Sequence, residues 1–305
     1  MDLGRFIAAK KAGAIVRDRK GLGVKPNGRS ADWIIPSFTL GCPLVCAYCY
    51  VSRHRTFGNP LEQFANVEEI WEAVAKHWQQ LPTKQPNQCD PKVWTYDVGE
   101  STDCLTPQNI QVTRWFIEKF LDETQAKPTF ATKLANHRGL PELNIEDTHR
   151  VRVRVSLMPE RISQILEPAT SPIKQRILAA NEMFAKGYEV HVNFSPVVLY
   201  DQWQEDYVEL FQKMEELLKP SVKHFMKAEV IMLTHHPKLH EMNLLWNPEA
   251  EALLWQPGLQ ETKTTERGDS GVLRYRAFTT KQLAAARFKQ LLAEHLPWCT
   301  IRYIF

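Results

Sequence analysis

Residues 33–50 read W-I-I-P-S-F-T-L-G-C-P-L-V-C-A-Y-C-Y. The first seven, 33–39, are rich in apolar, aromatic and β-branched side chains and predict a strand. That strand runs into a loop carrying Cys42, Cys46 and Cys49 within eight residues. Further along, β-rich runs at 93–98, 128–133, 150–156, 188–195, 224–233 and 301–305 predict more strands, the clearest being the V-R-V-R-V-S alternation at 151–156. Helical spacing recurs between them, at 67–81, 110–121, 172–186, 203–218 and 280–295. Gly187 closes the third of these helices. Strands alternating with helices in one chain imply an α/β fold with a parallel sheet. About six such units suggest an open or partial barrel. Chemistry in parallel barrels gathers at the C-terminal strand ends, where the cysteine loop falls.

Composition agrees with a globular protein. The chain has 305 residues, 44% hydrophobic and 24% charged. That length suits one large domain with a well-buried core. No apolar run reaches the roughly 18 residues of a membrane span. The first residues are basic but lack the apolar core of a secretion signal, so a cytoplasmic location with no membrane partner is expected. Net charge is only +3, yet Lys10, Lys11, Arg17, Arg19, Lys20, Lys25 and Arg29 crowd the opening. Residues 1–32 are therefore expected to form a basic arm, either solvated or lying along a phosphate backbone. Residues 33–305 would form the barrel domain with a C-terminal extension. The stretch 254–276, with Gly258, Gly268 and Gly271 among charges and threonines, is expected to be a loop over the site.

Six cysteines, three clustered and three scattered (Cys89, Cys104, Cys299), make a poor disulfide framework. Three thiolates separated by three and then two residues can converge on one iron–sulfur cluster, which cysteine thiolates usually hold by four. A missing fourth thiolate leaves one iron open to a small molecule, as in catalytic rather than structural metal sites. The rival is zinc, with His54 as a fourth ligand.

The C-x-x-x-C-x-aromatic-C spacing, with Tyr48 as the aromatic, resembles the radical S-adenosylmethionine superfamily. That resemblance implies a 4Fe-4S cluster on Cys42, Cys46 and Cys49. It implies S-adenosylmethionine on the open iron, cleaved by one electron from a donor such as flavodoxin or ferredoxin into a 5′-deoxyadenosyl radical that takes hydrogen from a substrate. A narrower likeness runs from about Ser37 onward. It is carried by F-A-T-K at 130–133, R-V-S at 154–156, L-E-P-A-T-S-P-I-K-Q-R at 166–176, A-K-G-Y at 185–188, S-P-V-V-L-Y-D-Q-W at 195–203 and the closing I-R-Y-I-F. The chain resembles the spore photoproduct lyase family. The family implies a partial (β/α)6-type radical SAM barrel and lyase chemistry that repairs a dimerised pyrimidine in DNA. By matching position, Lys133 and Ser156 are expected to contact S-adenosylmethionine. Arg274 and Tyr275 are expected in the substrate region.

One segment departs from the family. In V-G-E-S-T-D-C-L, residues 98–105, alignment on Asp103 sets Glu100 where the family's hydrogen-returning cysteine falls. Gly99 and Glu100 instead resemble the glycine–glutamate pair that holds the amino group of S-adenosylmethionine, a charge-assisted pairing. Cys104, in the same loop, is the candidate replacement thiol. His235 and His236 are candidate acid–base groups, and aromatics such as Tyr50, Trp94 and Trp203 are either core or base-stacking. Three functions remain open: dimer repair, the same cofactor chemistry on a non-DNA substrate, or a zinc-bearing nucleic-acid binding protein.

Overall fold

The computed structural model describes residues 14–53, 61–265 and 268–305. Lys10, Lys11 and His54 lie outside the described residues.

The principal sheet has eight strands. In chain order they are β1 (Lys25–Pro26), β2 (Trp33–Ile34), β3 (Thr95–Asp97), β4 (Lys127–Thr132), β5 (Arg152–Ser156), β6 (Glu189–Val197), β7 (Lys227–Met232) and β8 (Thr300–Ile304). Their order in the sheet is their order in the chain. Only β1 pairs antiparallel; β2 through β8 are parallel neighbours throughout. Sequential parallel strands need crossovers, and helices supply most of them: Val67–Gln79, Ile110–Glu123, Ile173–Ala185, Trp203–Leu217 and Gln282–His295. The β4–β5 connection instead holds two short 3₁₀ turns, His137–Gly139 and Ile145–Asp147. The expected partial α/β barrel is thus present, with its seven predicted strands.

Local chemistry explains the elements. Ile173–Ala185 starts after Pro172, whose ring pre-sets helical entry, and ends on Gly187 at φ +92°. The Tyr188 N–H donates to the Met183 carbonyl and the Gly187 N–H to that of Phe184, the two bonds of a Schellman cap. In β5 the valines join the apolar core while Arg152 and Arg154 project to the opposite face. All five residues of the strand are buried. Carboxylates from β3, β6, β7 and the loop before β3 pair with the arginines. Arg152 pairs with Asp90 and Glu189, and Arg154 with Asp97 at 2.6 Å and Glu229 at 3.5 Å. Arg302 on β8 reaches Glu229 at 3.1 Å.

Two segments differ from expectation. Residues 33–39 are not one strand. β2 stops before Pro36, which has no N–H for the ladder, and Thr39–Leu40 joins a separate sheet with Leu61–Phe64 and Ala14–Arg17. The described part of the first 32 residues supplies two short strands: Ala14–Arg17 pairs parallel with Leu61–Phe64, and β1 pairs with β2. Residues 254–276 are likewise no irregular loop. Gln260–Thr265 and Gly268–Tyr275 form an antiparallel hairpin that also pairs with Thr234–His235. Alternation in V-L-R-Y and Q-E-T-K-T-T carries that signal, masked by the glycines between.

Candidate active site

At the C-terminal ends of β3, β4 and β5 lies a cavity of about 350 Å³. Cys42, Cys46, Cys49, Gly99, Glu100 and Lys133 line it, together with Asp103 and Arg154. The three motif thiols therefore meet at one chamber. Burial pushes the Cys42 thiol up to about 12, helped by Asp103 and Cys49, and raises Cys46 further, with Glu167 beside it. Such thiols stay neutral until a cation displaces their protons. Among the described residues no three Cys, His, Asp or Glu groups form a preassembled site for a single ion. Three thiols lining one chamber are what a cysteine-held iron–sulfur cluster needs.

A second cavity of about 450 Å³ adjoins the first. Cys49, Tyr50 and Lys133 line both. The second cavity is completed by Tyr48, Ser195, His235, His236 and Val272, among others.

The cysteine loop is held from both sides. The Ala47 N–H donates to the Leu166 carbonyl at 2.9 Å, and the Ala47 carbonyl accepts from Asn243 Nδ2 at 2.9 Å. Asn243 also donates to Glu251, a buried carboxylate that meets His235 Nε2 at 2.9 Å and His240 Nδ1 at 2.6 Å. Burial would raise Glu251, but these hydrogen bonds outweigh it and hold the carboxyl below its ordinary value. The Tyr48 hydroxyl donates to Glu167, and the Tyr50 hydroxyl to the Glu100 carbonyl.

Beside Cys42, Asp103 fixes the end of β4. It accepts from the Lys133 N–H at 2.7 Å, the Leu105 N–H at 2.9 Å and the Thr132 hydroxyl. Burial outweighs these bonds and raises its pKa. Lys133 shows the opposite balance. Burial works against its charge, yet Glu167 and Cys46 hold it above the ordinary lysine range.

The structure brings together Cys42, Cys46, Cys49, Gly99, Glu100 and Lys133, with Tyr48 in the adjoining wall. It does not bring in Cys104, Tyr275 or Ser156. Cys104 is fully buried in the apolar core beneath the loop, beside Gly99, and its carbonyl accepts from Thr113. Tyr275 is also core, its hydroxyl taking the Leu199 N–H at 2.8 Å. Ser156 lies in β5 with its hydroxyl 3.4 Å from Asn193 Nδ2 and its carbonyl bonded by Arg176. Arg274 sits in the hairpin, 3.1 Å from Glu261. Sequence reasoning assigned no role to Glu167, Asp103, Asn243 or Arg154. The available signal was a charge between apolar neighbours, as in I-L-E-P, since such a group must find a partner when buried.

The model of the family described as spore photoproduct lyase matches residues 1–304. The spore photoproduct lyase of Bacillus subtilis is 27% identical over 222 residues, 72% of this chain and 62% of that protein. The spore photoproduct lyase of Clostridium acetobutylicum is 23% identical over 205 residues, 67% of this chain and 58% of the relative. The chain's match thus spans less than two thirds of either relative's length. Among solved structures, a spore photoproduct lyase complexed with dinucleoside spore photoproduct superposes with a TM-score of 0.84 at 19% identity, covering 100% of this chain and 86% of the other. A variant with bound AdoMet and the same dinucleoside also gives 0.84 at 19%, covering 99% and 84%. The fold of those structures is the fold described above. With the family model matched along nearly its whole length, this chain belongs to the spore photoproduct lyase family.

Proposed function

We propose that this chain is a radical S-adenosylmethionine enzyme that acts on a dimerised pyrimidine in DNA. The observation that carries the reading is the pair of chambers: one lined by the three motif thiols with Glu100 and Lys133, the other sharing the Cys49–Tyr50–Lys133 wall. Cys42, Cys46 and Cys49 would hold a 4Fe-4S cluster. When bound, the cluster and S-adenosylmethionine supply a carbon radical that abstracts hydrogen from the substrate, after one electron arrives from a donor such as flavodoxin or ferredoxin. The chain's own groups bind and orient. S-adenosylmethionine carries an ammonium and a carboxylate, and Glu100 and Lys133 offer the opposite charge to each.

A basic rim at the second chamber supports a nucleic-acid substrate. The Arg29 guanidinium lies 3.7 Å from the centre of the Phe305 ring, and Lys281 Nζ lies 5.6 Å from it. Burial lowers the Lys281 pKa, and repulsion from Arg274, Arg29 and Lys263 adds to the effect, so four cations share this edge. Phe278, 80% exposed, stands in the same segment and could stack on a base.

Hydrogen return is where this chain parts from the family's chemistry. Among the described residues, the only cysteines lining either chamber are the cluster triplet. Glu100 lines the first. This favours a second reading, the same radical chemistry on a substrate other than DNA, such as a small molecule or peptide. Anaerobic reconstitution, reduction and incubation with S-adenosylmethionine and dinucleoside spore photoproduct decide between them. Dimer repair breaks the link between the two bases and returns two intact thymidine units. 5′-Deoxyadenosine formed without thymidine assigns the second reading. A colourless protein holding zinc overturns both.

A further inference from the structure

Glu167 opens the E-P-A-T-S-P element and is 2% exposed. A buried carboxylate is costly unless its oxygens are satisfied, and here they are divided between two groups of partners. Oε2 meets Arg176 at 2.7 Å and the Ser163 hydroxyl at 3.2 Å. Oε1 accepts from the Tyr48 hydroxyl and lies 4.0 Å from Lys133 Nζ. Lys133 Nζ in turn lies 5.7 Å from the centre of the Tyr48 ring. The backbone repeats the linkage: the Ser171 N–H donates to the Lys133 carbonyl, and the Ala47 N–H donates to that of Leu166. One short element therefore joins the cysteine loop to the end of β4.

The charges of this cluster do not cancel. Arg176, with its side chain wholly buried, is committed to Glu167 and to the Ser156 and Ser171 carbonyls. Lys133 is tethered at the outer limit of an ion pair and lines both chambers. One carboxylate between two cations leaves one positive charge over, and it stands at the wall of the cofactor chamber.

We infer that Glu167 is a positioning residue, which aims Lys133 and Tyr48 so that the surplus charge meets the carboxylate of S-adenosylmethionine. The inference rests on the radical S-adenosylmethionine reading above. Glu167 acts through Lys133 and touches neither cofactor nor substrate.

A double-mutant cycle on the anaerobically reconstituted full chain tests it, with iron content and the dissociation constant for S-adenosylmethionine as readouts. Glu167→Gln keeps the shape and removes the charge. It is expected to weaken S-adenosylmethionine binding about tenfold at unchanged iron content. Lys133→Met weakens binding directly, and adding Glu167→Gln to it then has no further effect, because the coupling runs through the missing ammonium. Glu167→Asp keeps the charge for Arg176 but withdraws it from Lys133. It provides a folded comparison if the glutamine variant does not accumulate, and is expected to weaken binding about threefold. An unchanged dissociation constant in both Glu167 variants overturns the inference. So does an equal loss with and without Lys133, or a loss of iron in step with binding, since each marks Glu167 as a structural brace. Wild-type protein that takes up iron but binds no S-adenosylmethionine sinks the functional reading itself.

Discussion

Cys104 and Gly99 show how single positions are constrained around this site. A Cβ built on Gly99 would come within 2.6 Å of the Cys104 sulfur, so the glycine is required by close approach and not by backbone angle. Gly99→Ala should destabilise the protein by about 1–3 kcal/mol in urea melts, the usual cost of overpacking a tight core. In a Cys104→Ala background the same substitution should cost markedly less, since the clashing atom is gone. Cys104→Ala alone should leave 5′-deoxyadenosine formation at the wild-type rate, as expected of a wholly buried thiol outside both chambers. Loss of product hydrogenation in that variant would restore Cys104 as a donor. That Cys42, Cys46 and Cys49 meet at one chamber was legible from their spacing. The place of Cys104 was not, because seven residues of loop give no direction for a side chain.

Among elements, the clamp on the cysteine loop comes from far along the chain. Helices Pro237–Trp246 and Pro248–Leu254 present Asn243 and Glu251, and Asn243 reaches the Ala47 carbonyl across 196 residues. Asn243→Ala removes that bond and leaves buried Glu251 short of a donor, a loss of about 1–3 kcal/mol. The reconstituted variant should release iron to a chelator several times faster than wild type, read from its visible absorbance. No local pattern announced this contact, since the partner of a buried asparagine is set by tertiary packing. The parallel strands of the principal sheet and the five longest helices, by contrast, were visible from periodicity. The hairpin at 260–275 was hidden because its glycines and threonines resemble loop composition. The alternation of β5 identified a strand, but that its arginine face is buried depends on acids contributed by β3, β6 and β7.

Across the whole molecule, the sheet interior carries a ladder of opposite charges that makes stability depend on pH. Burial is the main cause that depresses His191 to about 3, so it stays neutral in the fold while the unfolded chain takes up its proton near the ordinary value of 6.5. Folded protein thus binds fewer protons between these values, and stability must fall as pH drops from 6.5 toward 3. Glu189, held well below 4.5 where hydrogen bonding to His191 and the charge of Arg152 outweigh burial, adds its own loss as pH falls below that value. Urea midpoints measured across this range should decline steadily, and His191→Gln should flatten the upper part of the slope. At the rim of the second chamber, Lys281→Glu should weaken single-stranded DNA binding and reduce its dependence on log salt by about one, the share of a single phosphate contact. An unchanged slope would place the nucleic acid elsewhere. Finally, among the described residues the two chambers share Cys49, Tyr50 and Lys133. This common partition sets rules for inheritance as well as for design. On the proposed function, drift in the substrate must be written elsewhere in the second chamber, at Ser195, His236 and Val272, while the partition stays as it is. A lineage can therefore change its substrate and keep its spark.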